Sequence, residues 1–213
     1  MKDENEATQT EATQNDTQPS ETLPPDANLC PAQQQTVDWL TQVVEIGNIL
    51  HCSASSGTGR TTVLRELHRR LGGKLLSIKD FVDAMDRRHP LALEDALYKV
   101  ILEALQEHDC VVVDDFHLPL SVMDGCNHYP RSGYVESPLS VIAAYAVEAG
   151  KKLIVGTDGR LSSPLADRCF GTGIPDFTPE DYEHLCRSFL DCGDVDLDFE
   201  KIYRFAPNLD AHQ

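Results

Sequence analysis

One stretch constrains this 213-residue chain more than any other. From Ile49 to Leu67, ILHCSASSGTGRTTVLREL, a short apolar run ends in a small-residue loop and an amphipathic helix begins. That order calls for a buried strand, a turn of Gly and Ser, and a helix whose first residues carry hydroxyls. The tip of such a loop aims several backbone N–H groups and the positive end of a helix dipole at one spot, which suits a phosphate group. The plain alternative is an ordinary Gly/Ser turn between a strand and a helix.

The common phosphate-binding loop of this kind, the P-loop, reads G-x-x-x-x-G-K-[ST]. Here it reads Ala54-Ser55-Ser56-Gly57-Thr58-Gly59-Arg60-Thr61, followed by Thr62. Gly59 and Thr61 stand at their positions, Gly57 adds backbone freedom, and Ala54 is the smallest substitute for the first Gly. Arg60 is the departure that matters. The motif's Lys is a compact point charge on a thin stem, whereas a guanidinium is a wide planar fork. Thr61 would supply a hydroxyl that helps hold Mg²⁺.

The length allows one α/β domain with a sizeable core and some appendages. A formal charge of -17 speaks against a nucleic-acid surface running over the whole fold, because phosphate contacts need Lys and Arg. Arg60, Arg65, Arg69 and Arg70 suit a phosphate site and a solvated helix face. Seven cysteines show no C-x-x-C pair and no zinc spacing. Their odd number, without a secretory signal, fits a reducing cytoplasm. No run approaches the roughly 18 apolar residues that a membrane helix needs. His117, Cys126 and His128 lie near one another, but their spacing supports no metal site.

Residues 1–29 form a polar leader, and its stretch up to Asn28 has seven acids against one lysine. Such a segment cannot bury enough surface to offset its ordering entropy, so disorder is expected. Pro31 to Ile46 has Val37, Leu40, Val43 and Val44 at helical spacing, with Trp39 beside them as a core residue or a neighbour of a base. After the loop, a helix from Thr61 to Leu71 stops at Gly72-Gly73, and Lys74 to Ile78 reads as a second strand. Helical segments follow from Asp80 and from Leu91 to His108. This alternation points to a parallel sheet with covering helices.

Cys110 to Phe116, CVVVDDF, is the second decisive stretch. Four apolar residues in a row suit a central strand buried on both faces, and its acids fall where open α/β sheets bind ligands. This is the Walker B pattern: Asp114 would hold Mg²⁺ through water, and Asp115 would take the position of the carboxylate that polarises an attacking water. The alternative is an exposed Asp-Asp turn. Leu118 to Glu136 reads as a long irregular connection, and Ser137-Pro138 as the cap of a helix from Leu139 to Ala149. Lys152 to Val155 is a further buried strand, ending at Gly156-Thr157-Asp158. Arg160 and Arg168 lie in the loop that follows. Short helices are expected over Pro179 to Leu190 and Phe199 to Phe205, with the start of another at Asn208.

Taken in order, the altered P-loop, the VVVDD strand, the LIVGT strand, the Arg-bearing loop and the PDFTPEDYEHLCRSFL helix resemble an AAA+ ATPase module. The resemblance implies a P-loop NTPase fold of three α/β/α layers with a central parallel sheet over residues 30–176, then the start of a small helical lid over 177–213. It implies that Ala54 to Thr62 cradle ATP, that Thr61 and Asp114 hold Mg²⁺, and that Asp115 and Thr157 act on the attacking water. Arg168 matches an arginine finger reaching a neighbouring subunit's nucleotide, with Arg160 second; a surface salt bridge is the other reading of Arg168. Three departures stand out: Arg60 for Lys, Asp115 for the usual Glu, and a lid that ends before the second sensor Arg. KDFVDAMDRRHP lacks the aromatic-hydrophobic-Gly triplet of polypeptide-threading members, which disfavours an unfoldase. Three functions remain open: an ATP hydrolase that remodels or assembles a partner, a nucleotide-binding module with weak or no hydrolysis, and a P-loop phosphotransferase. An oligomer is implied by the first.

Overall fold

A strand buried on both faces sends alternate side chains up and down, and each face needs its own cover of helices. The computed structural model describes residues 28–86, 88–89, 92–125, 134–159, 161–189 and 197–210, and shows this alternation directly. Five strands, β1 (Ile49–Ser53), β2 (Lys74–Leu76), β3 (Cys110–Val113), β4 (Lys152–Thr157) and β5 (Cys169–Gly173), form one sheet in the order β2-β3-β4-β1-β5. Every pairing is parallel. Val111, Val113, Leu153, Val155 and Ile49 pack on one face; Cys110, Val112, Ile154, Leu50 and Cys52 pack on the other.

The second face is covered by α1 (Pro31–Val43) and α2 (Arg60–Leu71), through Val37, Leu40, Val63, Leu64 and Leu67. The first is covered by α4 (Leu93–Glu107) and α6 (Glu136–Glu148), through Leu97, Ile101, Leu105, Leu139 and Ile142. The shorter helices α3 (Ile78–Met85), α5 (His117–Gly125) and α7 (Ser163–Ala166) fill the connections. This is the three-layer α/β/α arrangement expected from the sequence. A separate small cluster joins Cys30 and Ala32 to Phe177, Tyr182 and Leu185 of α8 (Pro179–Phe189), with Phe199 and Tyr203 of α9 (Phe199–Phe205) against it. Buried Asp181 ties it together by accepting the N–H groups of Ala32 and Thr178, both at 2.8 Å. Trp39 is half-buried against the core, the packing role.

Several boundaries differ from the sequence reading, each for a local reason. Strand β2 stops at Leu76 because Ser77 caps α3, its N–H and hydroxyl both donating to Asp80 Oδ2 at 2.8 Å. The stretch after Leu118 is helical up to Gly125, since Pro119 falls in the first turn, where a missing N–H does no harm. Helix α6 begins at Glu136, so Ser137-Pro138 lie inside its first turn and do not cap it. Strand β5 was not anticipated at all. It lies at the sheet edge, is mostly exposed, and reads CFGTG, with no apolar alternation to announce it. The leader's disorder, Cys126 and His128, and Arg160 lie outside the described residues.

Candidate functional site: the cleft at the strand ends

Strand β1 delivers the chain to the carboxyl edge of the sheet, and the loop begins where the Ala54 N–H donates to the Thr157 carbonyl at 3.0 Å. The Thr58 hydroxyl donates to the Ser55 carbonyl at 2.8 Å and closes the turn. Gly57 and Gly59 both have φ of 84°, in the left-handed region that glycine enters at least cost. Gly59 stands just before α2, whose first backbone bond runs from Val63 N–H to Gly59 O at 3.1 Å. The N–H groups of Arg60, Thr61 and Thr62 therefore have no acceptor within the helix. They adjoin a cleft of about 780 Å³ lined on the loop side by Ser55, Ser56, Gly57, Gly59, Arg60, Thr61 and Thr62, and on the far side by Leu185 and Phe189. That volume lies within the range of small-ligand sites.

The acids arrive from the neighbouring strand. Asp114 follows β3 and is fixed by its N–H donating to the Leu76 carbonyl at 2.9 Å, and Phe116 N–H donates to Gly156 O at 3.0 Å. Asp115 between them takes φ of 52°, a strained value for a non-glycine residue. Thr61 Oγ1 donates to Asp114 Oδ2 at 2.6 Å, so the loop's hydroxyl and the first acid meet across 53 residues of sequence. Arg60 does not extend into open solvent. Its Nε donates to Asp114 Oδ1 at 3.1 Å, its Nη2 donates to Asp115 Oδ1, and its side chain is 11% exposed.

Thr157 stands at the end of β4 as expected, opposite Ser53 of β1, and is fully buried. Its hydroxyl donates to the Gly159 carbonyl at 3.0 Å and accepts the Gly159 N–H at 3.2 Å. His51 Nε2 lies 2.7 Å from the same oxygen, and with the hydroxyl proton already engaged the ring must be the donor. Burial lowers the His51 pKa from its ordinary value, which favours that neutral ring. The structure thus brings Thr157 to the strand end but turns its hydroxyl to His51 and Gly159. Arg168 is exposed in the turn before β5 and makes no side-chain ion pair among the described residues. Arg69 and Arg70 hold Glu66 within α2, and Arg70 also reaches Asp38 of α1 at 2.9 Å and so ties the two helices together.

Four contributors were missed. Gln33 of α1 donates from Nε2 to the Thr58 carbonyl at 2.9 Å, and a Cβ on Gly59 would come within 2.2 Å of that nitrogen. Its signal was available: Gln33 sits four residues before Val37 on the buried stripe, where a polar group needs partners. His51 interrupts an apolar strand in the same way. Gly156 of β4 leaves room for two α2 side chains, since a Cβ there would lie 2.4 Å from Leu64 Cδ1 and 3.2 Å from Arg60 Cδ. Asp210 packs on Gly57 from the far end of the chain, which no spacing could indicate.

The donor set decides how the Mg²⁺ implied by the resemblance would be received. Mg²⁺ demands near-octahedral oxygen ligation. Thr61 Oγ1 and Asp114 are adjacent, but Asp114 Oδ1 already accepts Arg60 Nε and the Asp115 N–H at 2.8 Å. Arg60 already supplies the cation that balances Asp114 and Asp115, so a metal would have to displace its Nε from Asp114 Oδ1 to gain that ligand. With Arg60 in this position the site does not fit Mg²⁺. Among the described residues no group of three metal-ligating side chains occurs, and no helix is long and apolar enough to cross a membrane.

No protein family model and no curated protein sequence matches this chain. Solved structures do. A replication initiator DnaA bound to AMPPCP and single-stranded DNA superposes with a TM-score of 0.55 at 15% identity, covering 86% of this chain and 59% of that one. Domain III of the Thermotoga maritima replication initiation protein DnaA gives 0.54 at 15%, covering 86% and 79%. A chain of the HORMA:CdnC:Trip13 complex from E. coli MS115-1 gives 0.58 at 13%, covering 85% and 78%. At such identities the likeness establishes the fold alone: the chain shares the α/β fold of these structures. It spans about 59% of the length of the first of these structures.

Proposed function

We propose that this chain is a nucleotide-binding module of the AAA+ type, which takes ATP and ADP on the loop from Ala54 to Thr62 and hydrolyses ATP slowly or not at all. Binding is supported by the cleft itself, where the unpaired N–H groups at the start of α2 meet the loop glycines. Slow turnover is supported by one observation, the grip of Arg60 on both Asp114 and Asp115. A water attacking the γ phosphate needs a carboxylate oxygen to orient it, and the Asp115 oxygen that accepts from Arg60 is engaged.

A second reading, a working ATP hydrolase that remodels or assembles a partner, is favoured by Asp114, Asp115 and Thr157 standing at adjacent strand ends. In it Asp115 orients the water, Thr61 and Asp114 receive Mg²⁺ once Arg60 has withdrawn, and Arg168 serves the nucleotide of a neighbouring subunit. The exposure of Arg168 suits that role. Both readings put the protein in the cytoplasm, and the hydrolase reading makes it part of an assembly. Residues 177–213 serve in both as a partial lid, with Leu185 and Phe189 towards the base or sugar.

Calorimetric titration with ATP and ADP tests the shared premise, and absence of heat from folded protein at millimolar nucleotide rejects it. Turnover of labelled ATP, with and without a phosphate acceptor, then separates binding module, hydrolase and phosphotransferase.

A further inference from the structure

We propose that Arg60 is the resident cation of this site, so that nucleotide binds without a divalent metal. The inference rests on the nucleotide-binding reading above and specifies the cofactor requirement of the same cleft.

Three observations carry it. The guanidinium donates to both acids at once, through Nε to Asp114 and through Nη2 to Asp115. A planar fork with two separated donors makes that span; a single ammonium is a point charge. Second, Asp114 Oδ1 already accepts two hydrogen bonds, from Arg60 Nε and the Asp115 N–H, and Oδ2 accepts the Thr61 hydroxyl. Third, the fold makes room for this side chain. The stem of Arg60 passes Gly156 on β4, where a Cβ would sit 2.4 Å from Leu64 Cδ1, 3.2 Å from Arg60 Cδ and 3.4 Å from Arg60 Nε, so the glycine admits both α2 side chains. The position is therefore built by the sheet as well as by the acids.

A guanidinium carries five N–H donors, and two serve the carboxylates. The side chain also borders the cleft, beside the N–H groups at the start of α2, where a phosphate would lie. The fork can thus join acid and phosphate in one arrangement, in place of a metal bridging them. Asp114 keeps its charge balanced while nearly buried, and the more exposed Asp115 is screened by water.

The test is equilibrium binding of ADP to the full chain in excess Mg²⁺ and in excess EDTA. The dissociation constants are expected to agree within about threefold, where about 1.4 kcal/mol corresponds to tenfold. Binding that weakens more than about tenfold in EDTA overturns the inference while leaving the nucleotide reading intact. Absence of binding in both buffers overturns the two together. A second measurement needs no nucleotide: Mn²⁺ uptake followed by electron paramagnetic resonance, with folding checked by circular dichroism. The native chain is expected to take up none at this site, and Arg60→Ala to gain one Mn²⁺ that Asp114→Asn in the same chain removes. Native protein whose Mn²⁺ uptake is abolished by Asp114→Asn contradicts the proposal.

Discussion

Two arginines flank adjacent strands of the same parallel sheet at opposite strand ends, and the molecule treats them oppositely. Arg60, just beyond β1, is folded inward onto two acids with 11% of its side chain exposed. Arg168, just before β5, lies exposed in a turn anchored by its own N–H to the Leu165 carbonyl at 3.1 Å. A charge held by buried acids is part of the folded state, so altering it changes stability and the site together. A charge left in water can act only on something that arrives. The sequence places Arg60 at the nucleotide and leaves Arg168 between an arginine finger and a surface salt bridge; in the fold one is an internal cation and the other a surface group.

The largest effect that sharpens this contrast is on stability. Arg60→Ala leaves Asp114 and Asp115 side by side without their cation, and removing one partner of a largely buried pair costs about 3 kcal/mol. Arg168→Ala is expected to stay within about 0.5 kcal/mol of the native chain. Urea denaturation of both variants measures the difference, and equal losses would break the distinction.

Arg60→Lys comes next, because it keeps the charge and changes only the shape. With one point charge in place of the fork, an oxygen of Asp115 is released, and turnover is expected to rise by roughly ten to a hundredfold, about 1.4 kcal/mol per tenfold. Affinity should move much less. A flat or lower rate would mean that loop and Gly156 have adapted to arginine alone. Asp115→Asn should then remove that gained turnover while leaving nucleotide affinity nearly unchanged, since the carboxylate acts on the transition state more than on bound nucleotide.

How much of this was legible follows the strength of the local pattern. The core strands announced themselves because Val111 to Val113 and Leu153 to Val155 are continuous apolar runs, and the loop because its glycines precede a helix. Thr61 meeting Asp114 was legible for the same reason. The inward turn of Arg60 was not, since it depends on the space over Gly156, a contact between α2 and β4 that spacing does not encode. The His51 partner of Thr157 was hidden likewise, by the register that puts β1 beside β4. Strand β5 gave no signal because an exposed edge needs no apolar alternation.

Smaller effects concern pH. The Glu66 carboxyl is held down to about 2, first by the Arg69 hydrogen bond and, against its burial, by Arg70. Burial pushes Asp181 up, but the N–H groups of Thr178 and Ala32 outweigh it and leave its pKa below the ordinary carboxylate value. Both are depressed in the folded chain, so their stabilisation is complete above the unfolded carboxylate pKa and is lost as pH falls through the folded value. Stability from these groups is therefore expected to be level near neutrality and to decline below about pH 4.5. Glu66→Gln should shallow that decline, measurable as the pH dependence of the urea midpoint. The smallest effect is that of Arg168→Ala on turnover. As a group acting on a neighbour's nucleotide it should matter only at concentrations where the protein assembles, and a concentration-independent loss would contradict that role.

The most direct test is a crystal structure of the full chain with a non-hydrolysable ATP analogue, grown without divalent metal. The expected result is the phosphates on the loop from Ala54 to Thr62, with the Arg60 guanidinium shared between a phosphate oxygen and the Asp114–Asp115 pair. An analogue bound elsewhere, or an Arg60 swung away from both acids, would contradict it.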